Sequence, residues 1–289
     1  MRGWLVVNSF LDSAKFDEIY DLLLAAARKH GIALSLVRGD ELCGVVGEGF
    51  RERELPAFAI FWDKDIMLAR ELENAGVRLF NSAAAVGLCD NKAKTCIALA
   101  RAGIRMPKTM IAPLTFEGVG YSRLDFLDTA IEKLGLPLVI KEVCGSFGRQ
   151  VYLARTREEA CGIIASLGCK SFILQEFIAG SAGRDLRINV VGKRAVATIL
   201  RQSENDFRSN VSGGASMEPY TPSEAQERIA VDAVRALGLD FAGVDVLFGE
   251  DGEPLICEVN SNPHFKNTLV CTGVDLAGHI MAHIKNEMA

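Results

Sequence analysis

Long apolar runs are missing from this sequence: no stretch approaches the ~18–20 apolar residues that a membrane-spanning helix needs. The opening MRGWLVVNSF carries an apolar segment of only Trp4 to Val7, too short for a secretory leader, and reads as a first strand. Paired cysteines are missing too. The eight cysteines, at 43, 89, 96, 144, 161, 169, 257 and 271, form no C-x-x-C and no Cys/His spacing of a zinc site. Scattered thiols of this kind are small core residues of a reducing compartment, so the cytoplasm is the expected location. Positive charge is in deficit, with 32 Lys and Arg against 37 Asp and Glu. The resulting charge of −5 argues against nucleic acid or a membrane surface as the main partner. Low-complexity tracts and repeats with periods of 20–50 residues are absent as well.

What is present is an ordinary globular composition, 49% hydrophobic and 24% charged over 289 residues, enough for two or three compact layers. Strand-like and helix-like runs alternate through the first ninety residues: WLVVNSF, KFDEIYDLLLAAARKHG, IALSLV, AFAIFW, IMLARELENAG, VRLF. That rhythm predicts a doubly wound parallel sheet. DNKAKTCIALARAGIRMP predicts a helix from about Asn91 to Ala102, stopped by Gly103 and Pro107. Hairpin-like strands dominate afterwards, including DLRINVVGKRAVATIL with a turn at Gly192-Lys193, as expected of antiparallel α+β structure. Thr221, Pro222 and Glu224 read as a capping box opening a late helix that ends near Leu237. A last helix is expected over about Leu276 to Met288. The expected division is 1–90, an N-terminal α/β domain; 91–180, a central unit with a glycine-rich lid; and 181–289, a C-terminal unit.

Two acids stand in strand-like surroundings in GVDVLFGEDGEPLICEVNSNPHFKN, residues 243–267. Asp251-Gly252 is a signal for a two-residue type I′ hairpin turn. Residues equidistant from that turn face one another, which pairs Asp245 with Glu258, and Asn260 shares the face because strand side chains alternate. Two opposed carboxylates repel unless a cation lies between them. Two carboxylates and an amide oxygen are the hard-oxygen set that suits Mg2+ or Mn2+, with substrate phosphates completing the shell.

Lys141 ends a strand just before Cys144-Gly145-Ser146-Phe147-Gly148-Arg149. Small residues let backbone N–H groups approach an anion, and the lysine adds a point charge. The loop is neither G-x-x-x-x-G-K-[ST] nor a helix-opening G-x-G-x-x-G, so it supports neither a P-loop nor a dinucleotide fingerprint. Taken alone, it reads equally as a hairpin turn.

Lys92 in DNKAK, Lys141 before the glycine loop, QEFI at 175–178, GRDLRINVVG at 183–192, DFRSNVSGGAS at 206–216, AGVDVL at 242–247 and EVNSNP at 258–263 stand in the order of the ATP-grasp ligases. The chain from about residue 80 onward resembles the RimK-like α-L-glutamate ligases of that superfamily. The resemblance implies an ATP-grasp fold behind the N-terminal parallel-sheet domain, ATP and Mg2+ (or Mn2+) as cofactors, and an amino-acid, peptide or coenzyme-tail acceptor. It implies that Lys92 and Lys141 touch nucleotide phosphates under a loop containing Gly145, Ser146 and Gly148. By the same resemblance, Gln175, Glu176, Phe177 and Ile178 form the adenine hinge and Asp185 supports the ribose side. Arg208 and Asn210 lie near the γ-phosphate and the reacting carboxylate, and Asp245, Glu258 and Asn260 hold the metal. Without the resemblance, Lys92 reads as a solvated helix charge, Glu176 as an edge-strand charge, Asp185 and Arg187 as a surface ion pair worth about 0–1 kcal/mol, and DFRSNVSGGAS as a plain polar loop.

The implied reaction joins a carboxylate to an amine through an acyl phosphate, with ADP and phosphate released. After Asn260 the sequence runs Ser261-Asn262-Pro263-His264-Phe265-Lys266-Asn267 where the RimK-like pattern passes through small residues to a glycine. This is reminiscent of a branch that acts on carrier-linked amino acids in lysine and arginine biosynthesis, which stays open as an alternative. So does a non-catalytic ATP-binding regulator. A protein kinase is disfavoured, since H-R-D and D-F-G are absent. His264 reads as a turn residue beside Pro263, with a base or an acceptor contact as the other reading. Many relatives form homo-oligomers, but no sequence patch marks such an interface.

Overall fold

The computed structural model describes residues 1–48, 50, 54–145, 148–209 and 214–289. The chain runs β1 (Arg2–Val7), α1 (Ala14–Lys29), β2 (Ala33–Arg38), β3 (Phe58–Trp62), α2 (Ile66–Asn74), β4 (Arg78–Phe80), α3 (Ala83–Cys89) and α4 (Lys92–Arg101). It continues through β5 (Thr109–Ile111), α5 (Asp125–Leu134), β6 (Leu138–Glu142), β7 (Val151–Ala154), α6 (Arg157–Leu167) and β8 (Phe172–Glu176). Last come β9 (Arg184–Val191), β10 (Arg194–Gln202), β11 (Ser216–Pro219), α7 (Glu224–Ala236), β12 (Phe241–Phe248), β13 (Pro254–Asn260), α8 (Lys266–Thr272) and α9 (Leu276–Glu287).

The first sheet is parallel, in the order β2-β1-β3-β4. Its two central strands are buried on both faces, which is why they read as continuous apolar runs. Leu5, Val7 and Ile60 face a core shared with Tyr20 and Leu23 of α1 and with Ile280, Met281 and Ile284 of α9. Val6, Ala59 and Phe61 face the opposite core with Ala69 and Leu72 of α2. The C-terminal helix thus returns to close the N-terminal layer.

The second sheet, β5-β8-β6-β7, is antiparallel and packs Leu138, Ile140 and Leu174 against Leu127 of α5 and Ile164 of α6. The third, β11-β10-β9-β12-β13, is antiparallel as well. There the strand period of two divides labour. Leu186, Ile188, Val190, Val244 and Val246 meet Ala230, Ala233 and Val234 of α7 and Leu99 of α4, leaving the intervening Asp185, Arg187, Asn189 and Asp245 on the other face. Helix α4 belongs in packing to this third layer, although it precedes the second sheet in the chain.

Two local readings change. The N-cap of α7 is Ser223, with Gln226 completing the capping box, rather than Thr221 with Glu224. The β12–β13 connection is a five-residue loop, with Gly249 N–H bonded to Glu253 O at 3.1 Å, and not a two-residue turn. That loop sets Val246 opposite Ile256, a one-residue offset from the expected register; a bulge at Cys257 restores it, so Asp245 does face Glu258.

The first and third layers are joined through Asn81, which is fully buried just after β4. Its Nδ2 donates to Phe241 O at 3.0 Å and Ser261 O at 2.9 Å, and its Oδ1 accepts from Asp240 N at 2.6 Å and Phe241 N at 3.2 Å. Trp62 stacks on Phe241 beside it, ring centroids 5.6 Å apart. Asn81→Leu leaves these backbone groups buried without partners, each such loss costing about 1–3 kcal/mol. The expected outcome is a fall in stability of roughly 3 kcal/mol or more by urea titration; a change within about 0.5 kcal/mol contradicts the bridging role.

Candidate active site

On the polar face of the third sheet, three neighbouring strands place four charges side by side. In register, Asp185 of β9 lies opposite Arg201 of β10, and Arg187 of β9 lies opposite Asp245 of β12. Arg201 holds Asp185 through two bonds of 2.7 and 2.5 Å and reaches diagonally to Asp245 at 2.9 Å. Arg187 grips Asp245 through Nε and, at 3.0 Å, through Nη2. All four side chains are nearly inaccessible, so the surface ion pair expected of Asp185 with Arg187 is instead a buried crossed quartet. Burial alone would push Asp245 toward its neutral form, but Arg187 and Arg201 outweigh it and hold the carboxyl below its usual range. At Asp185 burial prevails over the pull of Arg201, and the nearby negative charge of Asp245 adds to the rise.

Glu258, across from Asp245, leaves 35% of its side chain exposed to the cleft and meets Lys92 Nζ at 3.2 Å. Lys92 is no solvated helix charge: its side chain is 13% exposed, its Nζ donates to Gly145 O at 3.4 Å, and its backbone N–H is bonded to Val143 O at 2.8 Å. The first turn of α4 is thereby pinned to the root of the glycine loop. Lys141 is buried, its Nζ 3.6 Å from Cys257 Sγ. Burial disfavours its charge, yet Cys257, Glu258 and Cys96 together raise its pKa, whereas burial lifts the Cys257 thiol above its usual range despite Lys141.

Arg208 caps the assembly. It pairs with Asp206 at 2.6 Å and donates Nη1 to Gly148 O at 2.7 Å, tying the segment after β10 to the glycine turn. Between the second and third sheets lies a narrow cavity of about 110 Å3, bounded by Lys141, Glu176, Phe177, Ile178, Asp185 and Arg208. Gln175 also borders it, but its buried amide donates to Thr109 Oγ1 at 2.8 Å and braces β5. Glu176 accepts from Lys108 N at 2.7 Å. Phe177 and Phe207 meet edge to face at 6.4 Å on its wall.

A second, larger cavity of about 760 Å3 opens beneath the first sheet and includes Asn260. Lys92, Gly148, Asp245 and Glu258 border both cavities, so they mark where the two meet. Asn260 turns its Nδ2 to Gly243 O at 3.4 Å, leaving Oδ1 as the ligand end of the amide. Asp245 and Glu258 border the junction and Asn260 borders the larger cavity, with Asp245 accepting from Arg187 and Arg201; two carboxylates and an amide oxygen are a donor set that fits a small hard divalent cation. Among the described residues no cluster of three or more His, Cys, Asp or Glu side chains is placed to hold a metal ion. Ser146 and Asn210, expected in the phosphate and reacting positions, lie outside the described residues. His264 bonds to Lys15 O at 3.0 Å through Nε2, and burial lowers its pKa.

Reading along the chain missed Arg201, Phe207 and the cavity's N-terminal wall. Arg201 follows the apolar pair Ile199-Leu200 near the end of β10, and its place on the alternating face opposite Asp185 was the available signal.

A cleft between two antiparallel sheets, opening into a second cavity under an N-terminal parallel sheet, is the architecture of the ATP-grasp ligases. The solved RimK-domain ATP-grasp protein of Sphaerobacter thermophilus superposes with a TM-score of 0.74 at 22% identity, covering 98% of this chain and 99% of that one. A family profile described as the RimK-like ATP-grasp domain matches residues 89–284, and the chain belongs to that family of ligases. It is 40% identical over 223 residues to a probable alpha-L-glutamate ligase of Citrobacter koseri, covering 75% of this chain and 71% of that protein. It is 38% identical over 221 residues to the ribosomal protein bS6–L-glutamate ligase of Escherichia fergusonii, with the same coverage.

Arg201→Met leaves buried Asp185 without a cation and Asp245 with Arg187 alone, an expected loss of about 3–5 kcal/mol. Burial, which already raises the Asp185 pKa, then goes unopposed by Arg201, so the folded form binds more protons than the unfolded one and the deficit shrinks as pH falls. Urea unfolding near pH 8 and near pH 5 checks this; a deficit that grows toward pH 5 contradicts it.

Proposed function

We propose that this enzyme is an ADP-forming carboxylate–amine ligase that activates its carboxylate with ATP as an acyl phosphate, most like an α-L-glutamate ligase. The observation that carries the reading is the junction: the polar groups suited to a triphosphate and those open to a second, roomy cavity are the same Lys92, Asp245 and Glu258.

A carboxylate resists attack because its charge is delocalised and its oxygen leaves badly; phosphorylation by ATP removes both obstacles. The protein's contribution is position and charge. Phe177, Phe207 and Ile178 offer an apolar seat for the base, while Glu176 and the backbone beside it face its amino edge. Lys141 and Lys92 meet phosphate oxygens, and Arg208, joined to the glycine turn, brings a guanidinium to the γ end. Asp245, Glu258 and Asn260 would hold Mg2+, which would supply positive charge against the phosphate oxygens. Arg187 and Arg201, already committed to carboxylates, keep Asp245 ionised for that role. The glycine turn over the junction suits the exclusion of water from a hydrolysable acyl phosphate. Ser146 and Asn210 complete the phosphate and carboxylate contacts in this reading, with Gly145 and Gly148 as turn backbone. The acceptor is an amino acid, a peptide or a coenzyme tail, and the location is the cytoplasm.

The test is ADP release from Mg-ATP across a panel of amino acids, peptides and coenzyme tails, with mass spectrometry of the product and hydroxylamine trapping of the acyl phosphate. Glu258→Gln is expected to lower turnover by about 100-fold or more while the protein stays folded, and Asp245→Asn, which also leaves Arg187 and Arg201 short of a charged partner, to lower turnover at least as much together with stability. Wild-type turnover in both variants excludes the metal assignment, and ADP release that never depends on an amine excludes the ligase reaction.

A further inference from the structure

The first sheet carries chemistry that the nucleotide half does not use. In the order β2-β1-β3-β4 the chain leaves β1 toward one edge and β3 toward the other, so the carboxyl ends of these two strands flank a topological switch point, where open α/β sheets bind ligands. Asn8 follows β1 and Asp63 follows β3, and both open into the larger cavity. Asp63 is 8% exposed. Its oxygens accept from Asn8 Nδ2, both at 3.2 Å, and Oδ1 accepts from Lys64 N at 2.6 Å. These donors are neutral, and none of the ion pairs among the described residues includes Asp63. A second acceptor lies beside it: Asn262 donates Nδ2 to Asp63 O at 2.8 Å, and its buried Oδ1 has no hydrogen-bond partner among the described residues.

Asp63 and Asn262 therefore bring acceptors to this end of the cavity, whereas Lys92 stands at the junction beside Asp245 and Glu258. An anion is disfavoured beside Asp63; a primary ammonium, with three donors to place, is suited to it. The segments that carry these groups also reach the reacting end. Asn262 follows Asn260 by two residues, and Lys64, the neighbour of Asp63, pairs at 2.5 Å with Asp90, two residues before Lys92. Lys15 and Lys266 border the same cavity from α1 and α8, Lys266 paired with Glu18 of α1.

Resting on the ligase reading above, we propose that the crevice between β1 and β3 is the amine subsite: it takes a free α-amino acid, with Asp63 anchoring the ammonium and Asn8 and Asn262 fixing Asp63 in place. As the nitrogen attacks, Asp63 takes one proton and the C–N bond forms. The C–O bond to phosphate then breaks, and phosphate leaves with the bonding pair and the second proton.

The test is calorimetric titration of the full chain, saturated with Mg-AMPPNP, with the twenty common amino acids, L-glutamate expected to bind best, and with N-acetyl-L-glutamate, which lacks the ammonium. Acetylation is expected to weaken binding to the wild type at least tenfold. Asp63→Asn should weaken L-glutamate at least tenfold while leaving N-acetyl-L-glutamate and AMPPNP within about twofold, a selectivity that a merely structural role would not produce. Asn8→Ala, expected to act in the same direction, keeps the proposal testable should Asp63→Asn fail to fold. Equal affinity of the wild type for both ligands, undiminished L-glutamate binding in the Asp63 variant, or no amino-acid binding by the wild type overturns the subsite. Failure of the wild type to bind AMPPNP overturns the ligase reading instead.

Discussion

The crossed pairing of Asp185, Arg187, Arg201 and Asp245 is the interaction on which the site depends. Three strands present charges inward on one face because their other face is occupied by α7 and α4. Buried ions bear a desolvation cost, and a hydrophobic quartet of similar volume would serve stability at least as well. What charge adds is a carboxylate kept ionised at Asp245, in a position fixed from two sides, at the edge of two cavities. The preorganisation of the junction follows from that.

The remaining groups reach the junction by separate routes. Lys92 arrives on the first turn of a helix packed into the third layer, Lys141 at the end of a second-layer strand, and Glu258 and Asn260 on the strand beyond the bulge. The first layer is clamped against the third by Asn81, by the stacked rings of Trp62 and Phe241, and by α9 folding back over the parallel sheet. Disturbing any clamp moves one wall of the larger cavity relative to the others. Arg208 performs the same service for the glycine turn, through Gly148.

The hairpin shows how a correct pairing can arise from incorrect steps. Asp251-Gly252 suggested a two-residue turn, whereas Gly249 and Glu253 close a wider loop, and the bulge at Cys257 cancels the offset. The bulge cannot be inferred from local propensity, because it answers to packing across the sheet: Val259 and Ile256 must both reach the core. Ser223 displaced Thr221 as the cap for a simpler reason, since its Oγ meets Gln226 N at 3.3 Å where the helix actually starts.

The sequence by itself determined the alternation of the parallel layer, the antiparallel character of the rest, the acids at 245 and 258 and the glycine turn after Lys141, because hydrophobic period and turn chemistry are local properties. Only the tertiary structure decided which cation meets which acid, that Arg201 is buried and Lys92 largely shielded rather than solvated, and that Asn8 and Asp63 share a cavity with Asn260. Those outcomes depend on strand register and layer packing between segments far apart in the chain, and the desolvation that gives each charge its meaning exists only once the layers have closed.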